Sequence, residues 1–132
     1  MKKEDNRSED QAKAQIESIV EMIAELELAE AKQSNRDRED ALETIQEDPL
    51  SVQVRGDWHN PGDKDEAVEF RILLCTGGPA VHIVGELDKN NDPLNPKVEH
   101  QDWFTPWIGY DKMTEEQEKA LLRYCSCFYF GE

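Results

Sequence analysis

Any chemistry beyond charge in this chain has to come from three cysteines, Cys75, Cys125 and Cys127, and three histidines, His59, His82 and His100. Cys75 and His82 flank Thr76-Gly77-Gly78-Pro79, and a hairpin at that turn would set them diagonally on one face. Cys125 or Cys127 could then complete a zinc site. A Cys-x-Cys pair on a helix, however, aims its sulfurs about 200° apart, so both cannot ligate one ion. The expectation is therefore no metal and no cofactor, with the cysteines acting as small core hydrophobes. His59 and His100 lie in polar surroundings and are expected at the surface. His82, Cys75 and Asp102 are the one set from which a catalytic site could be assembled. No nucleophile elbow or phosphate loop is present, and Gly77-Gly78-Pro79 leads into a strand pattern rather than a helix. The chain is expected to have no catalytic residues and not to be an enzyme.

Charge carries more information. Glu17, Glu21 and Glu25 recur every four residues, which makes them one row on a helix with few compensating bases. Each like-charge pair at that spacing costs an isolated helix about 0.2–0.5 kcal/mol, and a helix selected only for stability would alternate signs. A solvated face that keeps a small protein soluble accounts for the row. The sharper reading is an array of negative charge that occupies a basic, nucleic-acid-binding surface on another protein, with Asp37, Glu39 and Asp40 extending it. A second candidate contact is the aromatic segment containing Trp103, Trp107 and Tyr110, with Trp58 in an earlier loop. In a small domain such rings mostly close the core, leaving one or two for an interface.

These residues need elements to position them. Ser8-Glu9-Asp10-Gln11 has the form of a capping box, and Ile16, Ile19, Val20, Ile23 and Leu26 follow as one apolar stripe. Either that stripe packs within the chain, or Ile16, Ile19, Ile23 and Leu26 pair with a second copy, which makes a homodimer the alternative class of function. The stripe fades near Ser34 and Asn35, either of which could cap a second helix, and resumes at Ala41, Leu42 and Ile45 until Pro49. One unbroken helix would be about 60 Å long, so a helical hairpin is the other possibility.

After Pro49 the period becomes two. Leu50, Val52 and Val54 share one strand face; Val68, Phe70, Ile72 and Leu74 make a second strand, and Val81, Ile83, Gly85 and Leu87 return antiparallel to it. A loop is expected over 88–96, a fourth strand over 98–104, and a helix opened by the capping box Thr114-Glu115-Glu116-Gln117, with Leu121, Leu122, Tyr124, Cys125 and Phe128 to cover the sheet. The fold expected is α+β: an acidic helical segment over 1–48, then a domain over 49–132 with a four-stranded antiparallel sheet and a C-terminal helix packed on it.

With 132 residues, one core and an appendage is the natural scale. Thirty acidic against fifteen basic residues give a formal charge of −15, which disfavours direct binding to nucleic acid or anionic lipid and favours basic protein surfaces. No apolar run could span a membrane, and Met1-Lys2-Lys3-Glu4-Asp5 lacks a signal peptide's apolar stretch, so a cytoplasmic protein is expected.

Several blocks carry a resemblance: Gln46-Glu47-Asp48-Pro49-Leu50-Ser51-Val52, Ile72-Leu73-Leu74-Cys75-Thr76-Gly77-Gly78-Pro79-Ala80-Val81, Gly85-Glu86-Leu87-Asp88, Gln101-Asp102-Trp103 with Thr105-Pro106-Trp107, and Phe128-Tyr129-Phe130-Gly131-Glu132. Through them residues 46–132 resemble an uncharacterised family of small acidic proteins of bacteriophages, prophages and mobile elements, while residues 1–45 match only in being acidic and helical. The resemblance implies an origin and no activity. Small acidic phage proteins often bind host proteins, some as DNA mimics against restriction or CRISPR enzymes. By analogy of setting and charge, the expected function is a non-enzymatic accessory protein that binds and inhibits a host protein with a basic surface in the bacterial cytoplasm.

Overall fold

The apolar stripe of the first helix finds its partner inside the same chain. The computed structural model describes residues 7–63, 66–103 and 105–131. Helix α1 (Arg7–Ala31) buries Ala12, Ile16, Ile19, Ile23, Leu26 and Ala29. The first five share one core with Phe70, Ile72, Val81, Ile83 and Val98 of the sheet. This corrects the self-association reading: Ile16, Ile19, Ile23 and Leu26 are each at most 3% exposed, so a second copy cannot reach them. The boundary at 48/49 falls between the α-helical N-terminal segment and the first strand, and one core spans it.

The helix does break. Gln33 takes a left-handed φ of 58°, and the Ser34 hydroxyl accepts from the Asp37 N–H at 3.2 Å, capping α2 (Asn35–Glu47). Helix α2 runs back against α1 and buries Ile45, so the hairpin forms. At the other end the expected Ser8 capping box does not form. Helix α1 already includes Arg7, and the buried Ser8 hydroxyl lies 2.9 Å from His100 Nδ1 on the sheet. A buried polar partner outweighs a local cap at an exposed helix end, because each of the two groups would otherwise be left unsatisfied.

Strands β1 (Ser51–Gly56), β2 (Ala67–Cys75), β3 (Ala80–Leu87), β4 (Pro93–Gln101) and β5 (Ile108–Gly109) lie in sequence order, each antiparallel to the next. The described residues form five strands rather than the expected four, because β5 is two residues long and shows no alternation to read. Strand β4 also begins inside the segment whose Asn, Asp and Pro content predicts a loop. Its register against β3 shifts between Val84 and Glu86, and Asn95 (φ 50°) and Pro96 occupy that irregularity, so Pro96 interrupts no regular ladder. Gly85 opposite leaves no room for a side chain: a Cβ there would fall 2.7 Å from the Phe70 ring. Phe104, the expected end of the fourth strand, and residues 1–5 lie outside the described residues.

Helix α3 (Glu115–Cys125) opens on the capping box as its sequence predicts, with Thr114 and Gln117 exchanging side-chain-to-backbone bonds of 2.9 and 3.1 Å. It packs beside α1 and over β4, burying Leu121, Tyr124 and Cys125, whereas Leu122 points outward. The Tyr124 hydroxyl donates to Asp48 at 2.7 Å, tying the end of α2 to α3. All helical packing falls on the Ile72–Ile83–Val98 face. Among the described residues no helix covers the opposite face, with Glu69, Arg71, Val84, Lys97 and Glu99, and Trp107 folds onto it.

Candidate functional site

Burying one stripe of α1 forces its acidic row outward. Glu17, Glu21 and Glu25 are exposed, as are Asp37, Glu39 and Asp40 on α2. Among the described residues none of these six side chains makes an ion pair. Arg38 and Arg123 both converge on Glu30, at 3.5 and 2.7 Å; Lys112 pairs with Glu9 and Arg55 with Glu69. The Lys112 ammonium accordingly draws the Glu9 carboxyl below its ordinary pKa.

The α1–α2 hairpin brings Glu25 together with Asp37 and Asp40 around a shallow groove of about 320 Å³, lined also by Leu28 and Lys32. Glu17 and Glu21 continue the row along α1, and Glu39 lies outside the groove. Leu28 was not legible as part of this surface. It is 56% exposed and lies off the buried stripe, and that offset from Leu26 and Ile23 was the only signal for it. Such a leucine, rimmed by carboxylates, suits the aliphatic stem of a lysine or arginine whose head meets the charge.

The three aromatic candidates are not one cluster. Trp103 is 64% exposed beside the Gly78 turn. Tyr110 meets the His100 ring edge to face at 6.4 Å, next to Ser8, on the helical side of the sheet. Trp107 lies on the opposite side, stacked on His82 with centroids 3.6 Å apart and planes 15° from parallel. The strand pleat that separates neighbouring side chains to opposite faces thus divides the rings.

His82 is buried, and its Nε2 lies 2.8 Å from Glu99 Oε1 on the neighbouring strand. Burial pushes the imidazole pKa below its ordinary value, against the opposing pull of Glu99. In the neutral form Nε2–H donates to Glu99, and Nδ1 is left with no partner among the described residues. A carboxylate-oriented imidazole is the pairing of a general base, but Nδ1 is sealed from solvent, with the indole of Trp107 stacked on the ring. Around it a groove of about 920 Å³ is lined by Arg55, Arg71 and Lys97 against Glu69, Glu86 and Glu99, so its charges cancel. The dependence of His82 on Glu99 was missed from sequence; the signal was that both fall on the polar parity of their strands.

Cys75 does not share a face with His82. The β2–β3 register shifts between Leu73 and Cys75, which sets Cys75 opposite Val81 and towards Gln11 and Gln15 of α1, while His82 pairs with Leu73 on the other face. That irregularity dissolves both the imagined zinc pair and the His82–Cys75–Asp102 set. Cys125 is buried and Cys75 and Cys127 half-buried; desolvation raises all three thiols, which keeps them protonated. His100 is a further correction, since it is buried with Ser8 rather than at the surface. Among the described residues no group of three or more His, Cys, Asp or Glu could hold a metal ion, and no helix is long and apolar enough to cross a membrane.

No family model, curated protein or solved structure matches this chain.

Proposed function

We propose that this chain is a non-enzymatic binding protein that presents its acidic helical layer to a basic surface on another protein. The sequence resemblance extends the reading to a bacteriophage accessory protein acting in the host cytoplasm, inhibiting a nucleic-acid-handling defence complex in the manner of a DNA mimic. One observation supports it above others: among the described residues Glu17, Glu21 and Glu25, with Asp37 and Asp40 across the hairpin, stand exposed and make no ion pair, although Lys32 lines the same groove, while Arg38 and Arg123 are committed to Glu30. Carboxylates outnumbering bases on two packed helices form a fixed array, and a fixed array loses less entropy on binding than flexible charges do. The Leu28 groove adds a place for the stem of a basic side chain.

The test is affinity capture from a bacterial host with the unaltered chain and with Glu17→Lys, Glu21→Lys and Glu25→Lys combined. The reading expects a basic partner retained by the unaltered chain, lost with the variant, and released between roughly 50 and 500 mM salt, as screening of exposed charges requires. A partner held equally by both chains, or indifferent to salt, removes the helical row from the interaction.

A further inference from the structure

Strand β1 is the outer strand of the sheet, and no described residue pairs with its free edge. The helical layer stops short of it. Leu50, Val52 and Val54 sit on the helical side, where Val52 pairs with Ile72 and Val54 with Phe70, yet they are 60%, 37% and 48% exposed while Ile72 and Phe70 are buried. Free edges of this kind are normally blunted by lysine, proline or an inward-pointing charge. Ser51–Gly56 has none of these; its one charge, Arg55, is engaged by Glu69 on the neighbouring strand.

We infer that this edge is a homodimer interface, in which β1 pairs antiparallel with β1 of a second copy across a two-fold axis. Two features of the strand select a second copy as the occupant. The first is self-complementarity. With Gln53 on the axis, Val52 of each copy faces Val54 of the other on the helical side, while Gln53 meets Gln53 and Ser51 meets Arg55 on the opposite side. Apolar then meets apolar, the two Gln53 side chains meet with each oxygen already held by its own Arg71, and no like charges are opposed. The second is electrostatic. In a chain of formal charge −15, Ser51–Gly56 contains no carboxylate, so two copies approach there with the least repulsion. The shift in register between Arg55 and Gly56 ends the ladder and confines pairing to this short stretch.

An antiparallel edge pairing keeps the same faces on the same side, so the two helical layers would lie side by side as one doubled acidic surface. The inference does not rest on the proposed function, since it concerns assembly and is tested without any partner.

Sedimentation or light scattering of the full chain from about 1 to 500 μM tests it, in the affinity range that sets weak dimers apart from monomers. The expected mass rises with concentration from 15.2 kDa towards twice that value. Added salt strengthens the association, because it screens repulsion between two acidic bodies. Val52→Lys and Val54→Lys, both at exposed positions and both making the net charge less negative, so that a loss of the dimer cannot come from added acidic repulsion, return the mass to the monomer with the melting temperature retained. A mass fixed at the monomer across the range, a dimer untouched by both variants, or a dimer that salt dissolves would each overturn the assignment.

Discussion

The imidazole of His82 and the indole of Trp107 lie ring on ring, centroids 3.6 Å apart, on the face of the sheet that carries no helix. Trp107 thereby substitutes locally for the missing second layer. It removes His82 from water while Glu99 on the neighbouring strand holds the ring edge through Nε2 at 2.8 Å. Arg71, also at this face, disfavours a positive charge on the ring, as burial does; Glu99 favours it.

A pH dependence follows. Because the folded pKa of His82 lies below the ordinary 6.5, the unfolded chain takes up its proton first. The stability tied to the neutral ring is therefore fully present above about pH 6.5 and is lost as the pH falls through that value towards the folded pKa. Melting curves of the unaltered chain and His82→Gln should differ most above about pH 7, and the difference should narrow as the pH falls below about 6.5. Comparing the two chains cancels the change in overall carboxylate charge; a constant difference across that range would show that the ring does not titrate on unfolding.

Ser8 and His100 make the second prediction, since they join the first turn of α1 to β4 across 92 residues of sequence. Ser8→Ala removes a hydrogen bond to a buried ring nitrogen and should cost about 1–3 kcal/mol, the penalty for an unsatisfied buried polar group. Were Ser8 a helix cap, replacement by Gly would restore most of the loss. Chemical denaturation of Ser8→Ala and Ser8→Gly separates the two roles: loss of the His100 bond makes Ser8→Gly at least as damaging as Ser8→Ala, whereas a cap would make it milder.

Two glycines of different character make the third. At Gly85 an added Cβ would meet the buried Phe70 ring at 2.7 Å and the Leu94 carbonyl oxygen at 2.8 Å, neither of which can move freely. Gly85→Ala should cost about 1–3 kcal/mol through overpacking. Gly77 has a φ of 108° but open space around it, so Gly77→Ala carries backbone strain alone, about 1 kcal/mol. Urea midpoints should rank the two variants in that order.

These positions also show what the sequence could disclose. The α1 stripe, the Phe70–Ile72–Leu74 strand, its return through Val81 and Ile83, and the Thr114 capping box are periodic or local features, and each is found where its pattern predicts. The destination of the stripe was not legible, because the same spacing of Ile16, Ile19, Ile23 and Leu26 serves a second copy or a sheet equally well. Irregularities were invisible for a different reason. The shift at Leu73 and Cys75 turns Cys75 to the other face, and one such residue reverses every inference from strict alternation. Ser8 and His100, 92 residues apart, were each read locally as a cap and a surface histidine, and only their meeting explains either. In the acidic surface, spacing alone predicted the exposed row on α1, whereas the joining of Glu25 to Asp37 and Asp40 depended on a turn at Gln33 that the chain could also have lacked.

The acidic row supplies the last prediction, because stability and binding should move in opposite directions there. Glu17 and Glu21, and Glu21 and Glu25, are like charges one helical turn apart, exposed and in no ion pair among the described residues. Replacing all three by Gln removes both repulsive pairs, worth about 0.2–0.5 kcal/mol each, and takes three charges from a chain that carries −15. The buried stripe is untouched, so the melting temperature should rise, and the gain should shrink in about 0.5 M salt as the original repulsion is screened. If the row serves a basic partner, the same variant loses capture while becoming more stable. A fall in melting temperature would mean that the carboxylates are engaged within the fold, and an unchanged capture would leave their repulsion without a function to offset it.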